Sequence, residues 1–104
     1  IYTDAWEAVD GIAEHIRTLD AYAPGSLARF KQLSLIQDET NIPAAPSMIA
    51  KLKEDNEIVI QELLRCQILA EKNRKTGLAN YLQDRIDKHE KHGWMLRATI
   101  KAAK

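Results

Sequence analysis

Apolar side chains recur every three or four positions through two long stretches of this sequence, and this spacing restricts the possible folds more than any other feature. From about Ser47 to Lys72 the repeat is carried by Ile49, Leu52, Asn56, Val59, Leu63, Cys66 and Ala70. From about Lys75 to Lys101 it is carried by Leu78, Leu82, Ile86, His89, Gly93, Leu96 and Ile100. The spacing follows the turn of an α-helix, so the sequence predicts two long helices packed along these stripes.

A third amphipathic stretch runs from Ile1 to about Leu19 and has an apolar face formed by Ile1, Ala5, Val9, Ile12, Ile16 and Leu19. Residues 20–46 then form a long crossover with a turn signal at Pro24–Gly25 and a short helix, Leu27–Leu33, which Ser26 can cap. The predicted fold class is therefore all-α, with three long helices and a short crossover helix. A long crossover between bundle helices is the connection that ferritin-like folds use.

Composition limits the class of protein. The chain has 104 residues, of which 45% are hydrophobic and 29% are charged, and this is the balance of one small soluble domain. No apolar run reaches the ~20 residues of a membrane span, and the acidic opening IYTDAWEAVD does not resemble a signal peptide. The single cysteine, Cys66, excludes a disulfide within the chain. We therefore expect a protein of the reducing cytoplasm.

Charge is balanced overall but is unevenly distributed along the chain. Residues 1–25 contain five acidic residues and one basic residue, whereas residues 75–104 contain seven basic and three acidic residues. An acidic first segment suits cation binding, and a basic last segment suits an anionic partner. The same distribution also arises when solvated helix faces differ in charge without a function, and both interpretations stay open here.

Asp10 and Glu14 are the candidate metal ligands of the first helix. They are four positions apart, so their carboxylates share one helix face, at the edge of the apolar stripe. Iron and other hard cations take oxygen ligands, and helical bundles supply them as helix-borne carboxylates. Such a pair is also common on a solvated helix surface, and the spacing alone does not separate the two interpretations.

The three histidines are His15, His89 and His92. His89 and His92 are three positions apart and could hold a metal, but the charged stretch DRIDKHEKH around them predicts an exposed face, while the stripe position of His89 also allows a hydrogen-bonded core residue. No Glu-x-x-His occurs, so an ordinary four-helix di-iron site is not predicted within this sequence. The seam position of Cys66 predicts a small buried residue, and Trp6 and Trp94 are predicted to be packing residues.

Two stretches of the sequence resemble the Dps family of bacterial miniferritins. In VDGIAEHIRTLDAYA, residues 9–23, the matching residues are Val9, Asp10, Ile12, Ala13, Glu14, Leu19, Asp20 and Ala23. In DKHEKHGWMLRATI, residues 87–100, the matching residues are Glu90, Lys91, Trp94, Met95, Leu96 and Arg97. The short crossover helix SLARFKQLS also fits, so the resemblance covers essentially the whole chain.

This resemblance implies a ferritin-like four-helix bundle that assembles into a hollow homo-dodecamer. Members oxidise iron(II) with peroxide or oxygen, store the ferric iron and protect DNA from oxidative damage, and many bind DNA non-specifically. The implied localisation is the bacterial cytoplasm, including the nucleoid, without membrane contact. By resemblance, then, the protein is expected to be a ferroxidase with iron as its cofactor.

The resemblance also implies a site that two subunits share. Asp10 and Glu14 match the catalytic iron ligands of one subunit, and the family takes its histidine ligands and another acidic residue from the partner subunit. In the family those histidines precede the position of Ile1. Residues 1–104 are therefore expected to form a single ferritin-like domain that lacks the first helix and the start of the second.

Several residues depart from the family pattern. The arginine that follows the glutamate in the family is His15 here, and the usual glycine pair after the helix is Asp20–Ala21. Members of the family line an iron-entry pore with acidic residues near the start of the last helix. In this sequence Lys75, Thr76 and Asn80 occupy that stretch, and Asp84 is the one acidic candidate.

The basic tail is short and contains Lys101 and Lys104. Two lysines would neutralise few phosphates of a bound DNA. Because His15 replaces the family arginine and the pore stretch has few acidic residues, two alternatives stay beside the ferroxidase. One is a non-catalytic DNA-coating or structural shell protein of the same fold, and the other is a helical interaction domain without metal.

Overall fold

The computed structural model describes residues 1–102, and in this part of the chain the regular structure consists of four α-helices. Helix α1 spans Tyr2–Thr18, α2 spans Leu27–Leu33, α3 spans Ala45–Lys72 and α4 spans Thr76–Ala102. These bounds confirm the all-α class, the order of the elements and the short crossover helix. Lys104, part of the predicted basic tail, lies outside the described residues.

Helix α3 begins earlier than predicted, because Pro46, which the sequence pattern places in the crossover, lies inside its first turn. The first N–H groups of a helix have no acceptor within the helix, so a proline there removes no hydrogen bond, and its fixed φ suits the helical geometry. Helix α2 has the predicted cap: the Ser26 Oγ accepts a hydrogen bond from the backbone N–H of Arg29, with an N···O distance of 3.1 Å.

The chain forms two compact units, the first of which, Ile1–Leu35, contains α1 and α2. Val9, Ile12 and Ile16 of α1 line an apolar groove of about 280 Å³ together with Ala13, Ala23, Pro24 and Phe30. Ala8 is the buried residue of α1 in the described part of the chain, and α2 has none. The apolar stripe of α1 is therefore largely exposed on this chain.

The second unit begins at Ile36 and contains α3 and α4, which pack against each other. Close to the turn between them, Ala70, Ala79 and Leu82 form a buried apolar cluster, against which the half-buried Leu63, Cys66 and Leu78 pack. The small alanine side chains let the two helix backbones approach each other. Cys66 is thus a packing residue of the α3–α4 interface, although it is less deeply buried than predicted.

Helices α1 and α3 end in the same hydrogen-bonded turn. After α1, the backbone N–H of Ala21 bonds the carbonyl of Ile16; after α3, that of Lys75 bonds the carbonyl of Ala70 at 2.8 Å. This Schellman geometry requires a left-handed residue, which is usually glycine. Here Asp20 and Arg74 take that position, with φ values of 62° and 57°. Asp20 thus has the conformation that a glycine would adopt without strain.

Among the described residues, none of the helices combines the length and the apolar character needed to cross a bilayer.

Replacing Arg74 by glycine is predicted to stabilise the α3–α4 pair. A left-handed conformation strains a side chain with a Cβ atom, and relief of this strain outweighs the extra freedom of glycine in the unfolded chain by roughly 0.5–1 kcal/mol. Urea unfolding of the full-length protein, followed by circular dichroism, measures the change. Lys72→Gly is the matched control and should destabilise by about 1 kcal/mol, since Lys72 is helical. If Arg74→Gly destabilises as much as this control, the left-handed Arg74 is not strained.

Candidate functional site

The carboxylates of Asp10 and Glu14 lie one turn apart on α1, and both side chains are exposed. In the described part of the chain, neither carboxylate has a hydrogen bond or an ion pair. An isolated pair of this kind has its oxygen lone pairs available for a cation, and hard cations bind such oxygens. Asp10 directly follows the groove residue Val9, and Glu14 directly follows the groove residue Ala13, so an apolar surface borders the carboxylate pair.

Arg17 lies one turn beyond Glu14 but is engaged elsewhere. Its guanidinium donates a hydrogen bond to the carbonyl of Ala21 at 3.0 Å and lies over the ring of Tyr22, 4.7 Å from the ring centroid. The left-handed Asp20 turns the chain so that both contacts form. Arg17 therefore fastens the C-terminal turn of α1 and leaves the Glu14 carboxylate free of a guanidinium. The sequence did not predict this role of Arg17, for which the order Arg-x-x-Asp-Ala-Tyr was the only signal.

His15 lies away from the carboxylate pair. Consecutive residues of an α-helix are rotated by about 100°, so His15 is directed to the side of the Asp10–Glu14 row. Its backbone carbonyl accepts a hydrogen bond from the Thr18 hydroxyl at 2.6 Å. A ligand role for the His15 imidazole beside Glu14 has no support in this geometry.

A second polar cluster, which we call the His89 network, crosses the α3–α4 interface. It consists of Asn56, Arg85 and His89, whose exposed fractions are only 4–8%. The Asn56 amide donates to the backbone carbonyl of His89 at 2.8 Å, and its oxygen lies 2.9 Å from His89 Nδ1. The Arg85 guanidinium lies 2.9 Å from His89 Nε2. Both ring nitrogens of His89 are therefore occupied by protein groups.

The predicted exposed face around His89 and His92 is wrong, since each side chain is 8% exposed. The two rings meet edge to face with centroids 5.3 Å apart. Of the charged neighbours in DRIDKHEKH, Asp84, Asp87, Lys88, Glu90 and Lys91 are exposed, whereas Arg85 is buried together with both histidines. The alternative reading of His89 as a hydrogen-bonded core residue is confirmed, and metal binding by His89 would require breaking the network.

Gly93 allows α3 to approach α4 at this network. A Cβ atom at residue 93 would lie 3.2 Å from Asn56 Nδ2 and 3.3 Å from an Arg97 guanidinium nitrogen. Both distances are closer than ordinary van der Waals contact, and Asn56 cannot withdraw without losing its bonds to His89. Glycine at residue 93 is thus explained by close packing rather than by a turn.

Trp6 and Trp94 do not pack as predicted, since they are 72% and 60% exposed. Trp6 lies one turn before Asp10, on the polar side of α1, and Trp94 lies opposite the buried stripe of α4.

The one acidic pore candidate, Asp84, is exposed and pairs with Lys88 on the same helix, with an O···N distance of 3.4 Å.

Elsewhere on the surface, the Arg65 guanidinium holds the pKa of Glu62 below its usual value, mainly through a side-chain hydrogen bond. The pair is exposed on α3, where solvent screens it, so it contributes little to stability.

In residues 1–102, no three His, Cys, Asp or Glu side chains come together as a metal-binding group. Within this part of the chain, Asp10 and Glu14 thus form a pair without a third ligand.

Comparison with known proteins identifies the fold. The family profile of the ferritin-like domain matches residues 1–104. An uncharacterised low-temperature-induced protein of Nostoc is 34% identical over 101 residues, which are 95% of this chain and 56% of that protein.

Two crystal structures share the fold. One is antigen TpF1 of Treponema pallidum, with 34% identity and a TM-score of 0.91 over 96% of this chain and 65% of that chain. The other is a Dps protein of Vibrio cholerae, described as a member of a broad superfamily of ferritin-like diiron-carboxylate proteins. It has 27% identity and a TM-score of 0.90 over 95% of this chain and 62% of that chain.

The chain therefore belongs to the ferritin-like family, and its structural neighbours include Dps proteins. The resemblance to Dps proteins and the ferritin-like fold class inferred from the sequence are confirmed. The chain spans a little over half of the length of the Nostoc relative and about two thirds of the TpF1 chain.

Removing the Asn56 side chain is predicted to destabilise the α3–α4 pair. In Asn56→Ala the buried Nδ1 of His89 loses its partner, which costs about 2–3 kcal/mol. Urea unfolding of the full-length protein measures this loss. Asn80→Ala is the matched control, because Asn80 is exposed on α4, and it should change stability by less than about 0.5 kcal/mol. Equal effects of the two substitutions would show that the His89 network does not hold the helices together.

Proposed function

We propose that this protein oxidises iron(II) and stores the product as ferric iron, as a miniferritin of the Dps type. The observation that carries this proposal is the pair of exposed, unpaired carboxylates of Asp10 and Glu14 on α1, in a chain of the ferritin-like family. Iron is both substrate and cargo in this function. Each iron(II) gives up one electron, and hydrogen peroxide or oxygen accepts the electrons.

Asp10 and Glu14 would bind iron(II) and hold it for oxidation. Their anionic oxygens suit iron(III) better than iron(II), because the higher charge gains more from the same ligands. A ligand set of this kind therefore favours the loss of an electron. Arg17 supports this role, since its contacts with Ala21 and Tyr22 keep its positive charge from neutralising Glu14.

The complete site would be shared between subunits. Asp10 and Glu14 supply two ligands, and in this proposal histidines and a further acidic residue of a partner subunit supply the rest. These residues would come from a part of the protein that precedes residue 1, with residues 1–104 as the remainder of a single ferritin-like domain. The assembly would be a homo-dodecamer in the bacterial cytoplasm, where removal of iron(II) and peroxide protects DNA.

Neutralising both carboxylates is predicted to abolish rapid iron oxidation. The Asp10→Asn/Glu14→Gln variant keeps the shape of both side chains but removes their charges. Loss of partners that merely orient metal ligands costs about 10–100-fold, so loss of both ligands should lower the oxidation rate at least about 100-fold. Full-length protein is loaded with iron(II) without oxygen, peroxide is added, and the ferric-oxo absorbance is followed in a stopped-flow instrument.

Glu54→Gln/Asp87→Asn is the matched control, since it removes two exposed carboxylates from α3 and α4. The control should oxidise iron at the unmodified rate, and size-exclusion chromatography should show the same assembly for both variants. Oxidation at the unmodified rate in Asp10→Asn/Glu14→Gln would overturn the site. If the unmodified protein takes up no iron but shifts DNA in a gel, the protein is the non-catalytic DNA-coating shell instead.

A further inference from the structure

Glu14 and Arg17 are neighbours on the surface of α1, and ordinary helix geometry would bring their opposite charges together. Residues three positions apart lie on adjacent turns, where an acidic and a basic side chain attract each other. Helical side chains also lean toward the N-terminus of their helix, which for Arg17 is the direction of Glu14. Even so, in the described residues Arg17 forms no ion pair with Glu14.

Two groups beyond the end of α1 draw the Arg17 side chain in the opposite direction. The guanidinium donates a hydrogen bond to the backbone carbonyl of Ala21 at 3.0 Å. It also lies over the ring of Tyr22, 4.7 Å from the ring centroid. Both groups are within reach because Asp20, with a φ of 62°, turns the chain at the end of the helix. The direction of Arg17 is therefore set by the residues that follow α1.

Tyr22 is the partner of Arg17 that a substitution can remove without disturbing the fold, because its side chain is 90% exposed. The contact with Ala21 uses a backbone carbonyl, and an exposed hydrogen bond of this kind is readily exchanged for one to water. The aromatic ring is thus the side chain that retains the guanidinium. An exposed cation–π contact shifts such an equilibrium about two- to fivefold.

We infer that Tyr22 is a positioning residue for the carboxylate pair, because it holds Arg17 at the end of α1 and keeps a competing cation from Glu14. This inference rests on the proposed function, in which Asp10 and Glu14 bind iron(II). The guanidinium and the metal compete for the same Glu14 oxygens, so contact of Arg17 with Glu14 lowers the apparent affinity for metal. Tyr22 acts only through Arg17 and supplies no ligand.

Anaerobic calorimetry with iron(II) on the full-length protein tests this competition. In Tyr22→Ala the guanidinium is released toward Glu14, and the affinity for iron(II) should fall about two- to fivefold. Tyr22→Phe keeps a ring face for the guanidinium and should restore the affinity. The decrease in Tyr22→Ala should become smaller at high salt, because salt screens the attraction between two exposed charges. Oxidation at saturating iron(II) should keep its rate, since both metal ligands are unchanged.

The Arg17→Met background assigns the effect to the guanidinium, because methionine is a flexible, uncharged side chain. Tyr22→Ala should not weaken iron(II) binding when it is combined with Arg17→Met. Tyr2→Ala is the matched control and should leave the affinity unchanged, since Tyr2 is 85% exposed at the opposite end of α1. An equal loss of affinity from Tyr22→Ala with and without Arg17 would overturn the positioning role.

Crystal structures of the metal-free, full-length protein separate this inference from the proposed function. In Tyr22→Ala the Arg17 guanidinium should lie within about 4 Å of a Glu14 carboxylate oxygen, the distance of an ion pair. A guanidinium that stays on Ala21 in this variant overturns the inference, whatever the metal affinity. If the guanidinium moves to Glu14 and the affinity for iron(II) is unchanged, Tyr22 positions Arg17 as inferred, and it is the assignment of Glu14 as a metal ligand that fails.

Discussion

The hydrogen bonds of Asn56 are the constraint on which the α3–α4 unit depends. One amide side chain bonds both the backbone carbonyl and the ring of His89, so it fixes α3 against α4 along the axis and around it. A buried amide that loses these bonds costs more than they contribute when formed, and this asymmetry makes one register much better than its neighbours. The apolar alanine cluster near the turn supplies contact area, but small side chains alone would tolerate a shift.

The buried polar groups and the exposed carboxylate pair lie in different parts of the chain. The buried polar groups of α3 and α4 satisfy one another, and His89 has no ring nitrogen left for a metal. In contrast, the Asp10 and Glu14 carboxylates of α1 are exposed, lie one turn apart and have no partners in the described residues. Unsatisfied anionic groups next to an apolar groove are poor stabilising elements but suitable ligands for an added cation. This contrast is the physical basis for the proposal that α1 carries the iron ligands.

The helices could be predicted from the sequence because their apolar stripes are long and regular, and the Ser26 cap has a local signature. The proximity of the Asp10 and Glu14 carboxylates could also be predicted, because residues four positions apart on a helix share a face. Burial of His92 could not be predicted, because the charges beside it describe the opposite face of α4. The positions of Arg17 and Arg85 depend on left-handed and interhelical geometry that no residue spacing encodes.

The most direct test of the account is to locate iron on the assembled protein. Crystals of the full-length protein are soaked with iron(II) without oxygen, and anomalous diffraction is recorded at the iron absorption edge. The account predicts an anomalous peak within bonding distance of both the Asp10 and the Glu14 carboxylates, completed by ligands of a second subunit. Iron bound elsewhere, with Asp10 and Glu14 free of metal, would contradict it.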